Sequence, residues 1–256
     1  MIALTVIRSL LYIKLTTPDQ GSTTDTIDER PCGSSRERIA TVMRSRFSSP
    51  NVTQWVEEPA GGRDRGLAAL GRAWLEVLVR PRRFFRAGVA PGDQAPGLVF
   101  AASVVFVEEA TRLALVPGTP VVAGRPLSTR ALVLALAVVL VAPLVLHLVA
   151  AIQTLLLIPF VSDRAGISET VQVIAYASAP CVLAGVPIPA LRVLCGLYGA
   201  TLLVVGLAVV HEISLPRAAL LGALPAALVF GYGFRGVAAA AELLDGANIL
   251  TVSVGT

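Results

Sequence analysis

Three ionisable residues lie close together in an apolar stretch of this sequence: Glu108, Glu109 and Arg112. At spacings of three and four residues, both carboxylates come within reach of the guanidinium on one side of a helix. One guanidinium neutralises either carboxylate and leaves the other facing the interior of a bundle or protonated. Ionisable groups inside apolar helices are candidates for proton or ion pathways, and the alternative is a set of structural ion pairs.

The two histidines, His147 and His211, complete the candidates for an intramembrane polar cluster together with those three charged residues. His211-Glu212 is not an HExxH zinc motif, because no second histidine follows it. The sequence also offers no catalytic triad, phosphate-binding loop or pair of catalytic carboxylates. Most of these polar residues lie near the ends of apolar segments, so we expect structural or interfacial roles, no enzymatic activity, and no metal or cofactor.

The glycines in Gly231-Tyr-Gly233-Phe-Arg-Gly236 have the spacing of a dinucleotide-binding fingerprint. That pattern binds phosphates only where a strand precedes it and a helix follows. Here it falls within an apolar segment, which favours a chance match. Close helix packing at small residues is the better explanation of these glycines and of Gly196 and Gly199.

The composition indicates a membrane protein. Of the 256 residues, 55% are hydrophobic and 15% are charged, whereas charged residues make up about a quarter of a soluble domain. The arginines are concentrated before residue 95, which indicates a basic segment facing a membrane surface. Without an aromatic-interleaved basic groove, we expect no nucleic-acid partner. Because backbone groups in hydrocarbon must be paired internally, we predict an all-α polytopic membrane bundle.

Five apolar segments are predicted to cross the membrane: residues 96–116, 131–158, 171–185, 191–210 and 218–241. The third and fourth form a hairpin that turns at Val186-Pro-Ile-Pro189. The second has 28 residues, or about 42 Å of helix against a hydrocarbon core of about 30 Å. It must therefore tilt, bend or protrude, and Pro143 is the expected bend.

An amphipathic helix of about four turns is predicted over residues 66–80. Its apolar residues share one face: Leu67, Leu70, Trp74, Val77 and Leu78. The segment 80–86 then combines four arginines with two aromatic rings, which favours a position at the membrane interface. Alternatively, the helix packs beneath the bundle, and amphipathicity alone does not separate the two positions.

The composition divides the chain into four parts. Residues 1–60 are predicted to be a disordered N-terminal extension. If translation begins at Val52 or Met43, most of this extension is not synthesised. The intact mass of the native protein tests this hypothesis. Residues 61–94 form a cytoplasmic basic amphipathic segment. Residues 95–241 form the five-helix transmembrane domain, and residues 242–256 form a short acidic extracytoplasmic tail.

The distribution of arginine predicts the orientation. With residues 61–94 in the cytoplasm, nine arginines lie inside: Arg63, Arg65, Arg72, Arg80, Arg82, Arg83, Arg86, Arg164 and Arg217. Four lie outside: Arg125, Arg130, Arg192 and Arg235. Since cytoplasmic loops carry an excess of positive charge, the N-terminus is predicted inside and the C-terminus outside the cell membrane.

A series of short motifs in this order resembles the Yip1 domain family over about residues 67–241. Its positions are Pro81, Phe84, Tyr176, Pro180, Gly206, His211, Arg217 and Pro225. The resemblance implies a five-helix integral membrane protein with a cytoplasmic N-terminus. Eukaryotic members bind small GTPases and shape transport vesicles, but this sequence has no long acidic-aromatic segment of the kind found in their cytoplasmic domains.

Two functional hypotheses follow. The first is a non-enzymatic Yip1-type membrane protein that acts by membrane organisation or protein–protein interaction. Its expected partners are the lipid bilayer and either another membrane protein or a second copy of the chain. The second is a small transporter or permease subunit with a polar path built on Glu108, Glu109, Arg112 and His147.

Overall fold

The computed structural model describes residues 66–116, 124 and 126–254, with side chains up to residue 246. The predicted disordered extension of residues 1–60 and the alternative start at Val52 lie outside the described residues. Within the described ranges all regular structure is helical, in agreement with the predicted all-α class.

Eight helices follow one another in this part of the chain. Their bounds are α1 Leu67–Val79, α2 Pro81–Ala87, α3 Ala95–Leu115, α4 Leu127–Leu157, α5 Ile167–Leu183, α6 Pro189–Val210, α7 Leu215–Gly233 and α8 Gly236–Val254. Helix α5 is α-helical to Ala177 and continues as a 3-10 helix from Ala179.

Three of these helices, α4, α6 and α7, are long and apolar enough to cross a membrane, with mean hydropathies of 2.9, 2.4 and 1.4. They correspond to the second, fourth and fifth predicted spans. Helix α3 has 21 residues, but every 18-residue stretch of it contains Glu108, Glu109 and Arg112. Helix α5 is an apolar helix but is shorter, with 17 residues from Ile167 to Leu183. Five spans therefore stay a prediction, whereas a membrane protein with several apolar helices is supported.

Prolines alter the two spans that contain them. In α4 the turn Ala137–Val141 is π-helical and directly precedes Pro143, where a bend was expected. In α7 the π-helical turn Ala227–Gly233 follows Pro225. A proline within a helix leaves a backbone carbonyl without its usual N–H partner, and a wider turn accommodates the change.

The last predicted span differs from the structure at its C-terminal end. We expected one helix over 218–241, but α7 ends at Gly233 and α8 begins at Gly236. Arg235 lies between them in a left-handed conformation, with φ 58°. Most of the predicted acidic tail, 242–256, belongs to α8, which continues to Val254. In the sequence this interruption corresponds to the glycine-rich stretch from Gly231 to Gly236, which we attributed to close helix packing.

Helix α5 lies at the centre of the bundle. Every residue from Thr170 to Cys181 is buried, and α5 contacts α3, α4 and α6. Two buried polar side chains, Thr170 and Gln172, join its first turns to neighbouring segments. Gln172 accepts a hydrogen bond from the backbone N–H of Ala90 (3.0 Å) and donates one to the Ala90 carbonyl (2.7 Å). The amide thus fixes the segment between α2 and α3 against α5.

Aromatic rings join α2 to the centre of the bundle. The ring of Tyr176 meets Phe84 edge to face at 4.8 Å and Phe100 at 5.1 Å, a geometry that aromatic pairs favour. Phe84 also contacts Phe85 at 5.9 Å. All four rings are at most 2% exposed. The motif positions Phe84 and Tyr176 therefore form one packing unit across more than ninety residues of sequence.

Helix α1 packs along the flank of the bundle. The indole Nε1 of Trp74 donates to the carbonyl of Ala179 (2.8 Å), and the Tyr198 hydroxyl donates to the carbonyl of Leu78. Ala179 and Tyr198 lie within α5 and α6, not at their ends. Leu67, which the sequence places on the apolar face of this helix, is 87% exposed. The interfacial position of α1 stays a prediction.

Gly206 lets α2 approach α6, and substitution by alanine should destabilise the protein. An added Cβ would lie 2.8 Å from Val173 Cγ1 and 3.0 Å from the Phe85 ring. Overpacking of this kind costs about 1–3 kcal/mol, which we expect as a lower melting temperature of Gly206→Ala in detergent. Gly71→Ala is the matched control, because nothing lies within 4 Å of its added Cβ. Equal melting temperatures for Gly206→Ala and wild type would contradict the packing.

Candidate functional site

Four charged side chains meet where α3 approaches the junction between α7 and α8. The guanidinium of Arg235 donates from Nη1 to Glu109 Oε1 (2.9 Å) and from Nη2 to Glu108 Oε1. Arg112 donates to Glu109 from Nε (3.0 Å) and from Nη2. Two guanidiniums and two carboxylates thus form one network, which we call the four-charge cluster.

Local backbone geometry positions the members of the four-charge cluster. Arg235 has φ 58° and follows the last π-helical turn of α7. This left-handed conformation usually belongs to glycine and costs another residue about 1–2 kcal/mol. On the opposite side, a Cβ on Gly185 would overlap the carbonyl oxygen of Glu108. Only glycine at this position allows the segment after α5 to lie against Glu108.

The four-charge cluster has balanced charge and is largely shielded from solvent. Glu108 is 2% exposed, and the side chains of Glu109 and Arg235 are 15% and 31% exposed. Charges in a low-dielectric setting are tolerated when oppositely charged partners and hydrogen bonds surround them. The cluster therefore explains how α3 carries three charges within a mostly apolar sequence, and its evident role is to join α3 to the end of α7.

The structure brings together Glu108, Glu109 and Arg112 from the predicted polar cluster, but not the two histidines. His147 Nδ1 lies 2.7 Å from the carbonyl oxygen of Pro143, one turn earlier in α4. His211 follows the last residue of α6 and is 2% exposed.

Sequence reasoning missed Arg235 as a member of the cluster. We placed it within the fifth predicted span and counted it among the outer charges, and no local spacing relates it to Glu108, 127 positions away. A weak signal was present, because Arg235 is the only charged residue in the long apolar stretch between Arg217 and Glu242. The fingerprint glycines Gly231 to Gly236 lie at this helix junction, where none follows a strand in the described part of the chain.

His211 connects the end of α6 to the first turn of α5. Its Nε2 lies 3.4 Å from the hydroxyl oxygen of Thr170, whereas Nδ1 is buried and has no hydrogen-bond partner among the described residues. Burial lowers the pKa of His211 to about 4, and the positive charge of Arg164 acts in the same direction. The imidazole is therefore neutral at physiological pH.

The remaining motif positions lie in helices α2, α5 and α7. Pro81 begins α2, Pro180 lies in the 3-10 part of α5, and Pro225 lies inside α7. Arg217 is exposed in the first turn of α7. Among the described residues, no three histidine, cysteine, aspartate or glutamate side chains are grouped to hold a metal ion. Cys181 and Cys195 are buried free thiols.

These features define the class of protein as a helical membrane protein whose amphipathic N-terminal helices pack on a buried central hairpin. Residues 75–234 match the model of the Yip1 domain. The match covers more than half of the chain, and the chain belongs to the Yip1 family. Neither the curated proteins nor the solved structures contain a match to this sequence.

Removal of Arg235 should destabilise the protein by leaving Glu108 buried without its cation. Breaking a buried pair costs about 3–5 kcal/mol, and we expect about 3 kcal/mol for Arg235→Gln because the guanidinium is partly exposed. The double variant Glu108→Gln/Arg235→Gln leaves the Glu109–Arg112 pair intact and should recover most of the loss. Thermal unfolding in detergent measures both. A double variant as unstable as the single one would contradict the role of the ion pair.

The neutral state of His211 predicts that stability depends on pH. The unfolded chain binds a proton near pH 6.5 and the folded chain only near pH 4, so protonation favours unfolding between these values. We expect the melting temperature to be highest above pH 6.5 and to fall as the pH falls towards 4. His211→Gln should flatten this part of the profile, and an unchanged slope in that variant would exclude His211 as the cause.

Proposed function

We propose that this chain is a non-enzymatic membrane protein that acts through helix contacts within the bilayer, by organising the membrane or by binding a membrane-protein partner or a second copy. The exterior of α4 carries this proposal. Only 11% of its most apolar stretch is buried, and Val139, Leu144 and Leu148 are 74%, 64% and 60% exposed. An apolar surface of this extent requires lipid or another helix against it.

The topology we propose has five spans in the cell membrane, a cytoplasmic N-terminus and an outside C-terminus. Two contacts support it. Arg82 and Arg86 lie beside the end of α6, which an inside N-terminus places in the cytoplasm. Arg235 lies beside the second half of α3, which the same topology places near the outer surface. Neutralisation of the charges of α3 lowers the cost of making it a span.

The transport hypothesis receives less support from the same contacts. It needs a polar path that includes His147 and at least one free carboxylate of α3. The carboxylates instead bind Arg112 and Arg235, and His147 binds the carbonyl of Pro143. We therefore retain the interaction hypothesis.

Cross-linking of the tagged full chain in native membranes tests the proposal. We expect a cross-linked species containing a second copy or a reproducible membrane-protein partner. Leu144→Ala/Leu148→Ala should reduce it several-fold, because both residues belong to the exposed face of α4. Leu197→Ala is the matched control, since Leu197 is 64% exposed on α6.

A chain that stays monomeric and partner-free in native membranes would overturn the interaction proposal. Cysteine labelling from each side of the membrane tests the topology separately. Chain ends that react on the same side would contradict the odd number of spans.

A further inference from the structure

An open groove of about 470 Å³ lies between α2 and the turn that joins α6 to α7. Arg82 and Arg86, one helical turn apart on α2, line one side. Glu212 lines the turn, and Val205 and Val209 line the floor. Its volume is within the range of about 300–1,000 Å³ typical of small-molecule sites.

The groove contains charges of both signs that are not paired within the described ranges. Arg82, Arg86 and Glu212 are exposed. No ion pair or hydrogen bond involves their side chains within the described part of the chain. By contrast, the neighbouring Arg83 pairs with Glu76 at 3.6 Å. Two cations and one carboxylate thus face a shared space, which suits a ligand that carries a phosphate and an ammonium.

The backbone places Glu212 in this groove at a local cost. Helix α6 ends in a Schellman arrangement, in which Ile213 N–H donates to the carbonyl of Ala208 (3.1 Å). Glu212 occupies the left-handed position, with φ 52°, where glycine is usual. Its carboxylate also lies at the negative end of the helix dipole. Neither circumstance favours glutamate here on structural grounds alone.

The other left-handed non-glycine residue in the described ranges is Arg235. There the charged side chain binds both Glu108 and Glu109. The protein therefore uses this kind of helix end once already to present a charge to an oppositely charged partner. Among the described residues Glu212 has no such partner, and the position suits a cation from outside the protein.

The groove also changes from charged to apolar along the axis of α6. Glu212 lies just beyond the end of a candidate membrane span at Val210, and Val205 lies about 7 Å further into it. A phospholipid has the same order, because its phosphate and amine lie at the surface and its acyl chains lie below. A soluble phosphate compound would leave the apolar floor unused.

We propose that this groove binds a single phospholipid with an ethanolamine headgroup. Arg82 and Arg86 bind the phosphate, Glu212 accepts hydrogen bonds from the primary ammonium, and the start of an acyl chain lies on Val205 and Val209. Glu212 gives the site its selectivity, because a choline headgroup has no N–H to donate and a glycerol headgroup has no positive charge.

Native mass spectrometry of the full chain in detergent tests this site with phosphatidylethanolamine, phosphatidylcholine and phosphatidylglycerol of identical acyl chains. We expect the ethanolamine lipid to bind about tenfold more tightly than the choline lipid, as one charge-assisted hydrogen bond allows. Equal affinities of the wild-type chain for these two lipids would overturn the proposal.

Variants test the contacts to the ammonium and to the phosphate of the headgroup separately. Glu212→Gln should abolish the preference for ethanolamine over choline and strengthen binding of phosphatidylglycerol, since it removes a negative charge. Arg82→Gln/Arg86→Gln should weaken all three lipids about tenfold or more. Arg217→Gln is the control, because Arg217 is exposed in the first turn of α7 but does not line the groove. A loss of binding in Arg217→Gln equal to that in the double variant would indicate diffuse attraction and overturn the site.

Glycerophosphoethanolamine, which has the headgroup without acyl chains, distinguishes a lipid from a soluble ligand. We expect it to compete at least a hundredfold more weakly than the intact lipid. Comparable competition would overturn the assignment to a lipid. These outcomes do not depend on the proposed interaction function, because none of the residues that line the groove belongs to α4.

Discussion

The pairing of Arg235 with Glu108 and Glu109 is the interaction on which the arrangement of the bundle depends. A mostly apolar chain tolerates ionised groups only where each is bound by its opposite. Glu108 is almost fully buried, so α3 is stable in its position only with the end of α7 beside it. This requirement sets the point at which α7 stops and α8 begins. The short segment around Gly185 must then pass directly over the Glu108 backbone.

Helix ends, more than helix middles, distinguish this molecule. The middles of α4, α6 and α7 are mostly apolar, with mean hydropathies of 2.9, 2.4 and 1.4. The ends of α6 and α7 each place a charged residue in a left-handed conformation. One presents a cation to α3, and the other presents a carboxylate to an open groove. In a protein without metal clusters among its described residues, these two ends carry most of the chemical specificity.

Sequence patterns predicted the helical class, the family and the pairing of Arg112 with a carboxylate, because each depends on local periodicity or on short ordered motifs. They also indicated an irregularity of α4 at Pro143, and a π-helical turn ends two residues before it. Sequence patterns could not predict the contacts of Arg235 and Gln172, because each contact joins segments more than eighty residues apart. The break at Phe234 was missed for a related reason. An apolar run followed by alanines favours a continuous helix, and only the tertiary ion pair gives Arg235 a reason to interrupt it.

The contact between Phe84 and Tyr176 has a consequence for synthesis. The ribosome adds Tyr176 to the chain 92 residues after Phe84. At about 5–20 residues per second, α2 exists for roughly 5–20 s before its aromatic partner is available. During that interval Phe84 lacks the Tyr176 ring that packs against it in the folded protein. The adjoining arginines and apolar rings suit a temporary stay at the lipid headgroups. Docking of α2 is therefore a late step of assembly, because it requires Tyr176 of α5.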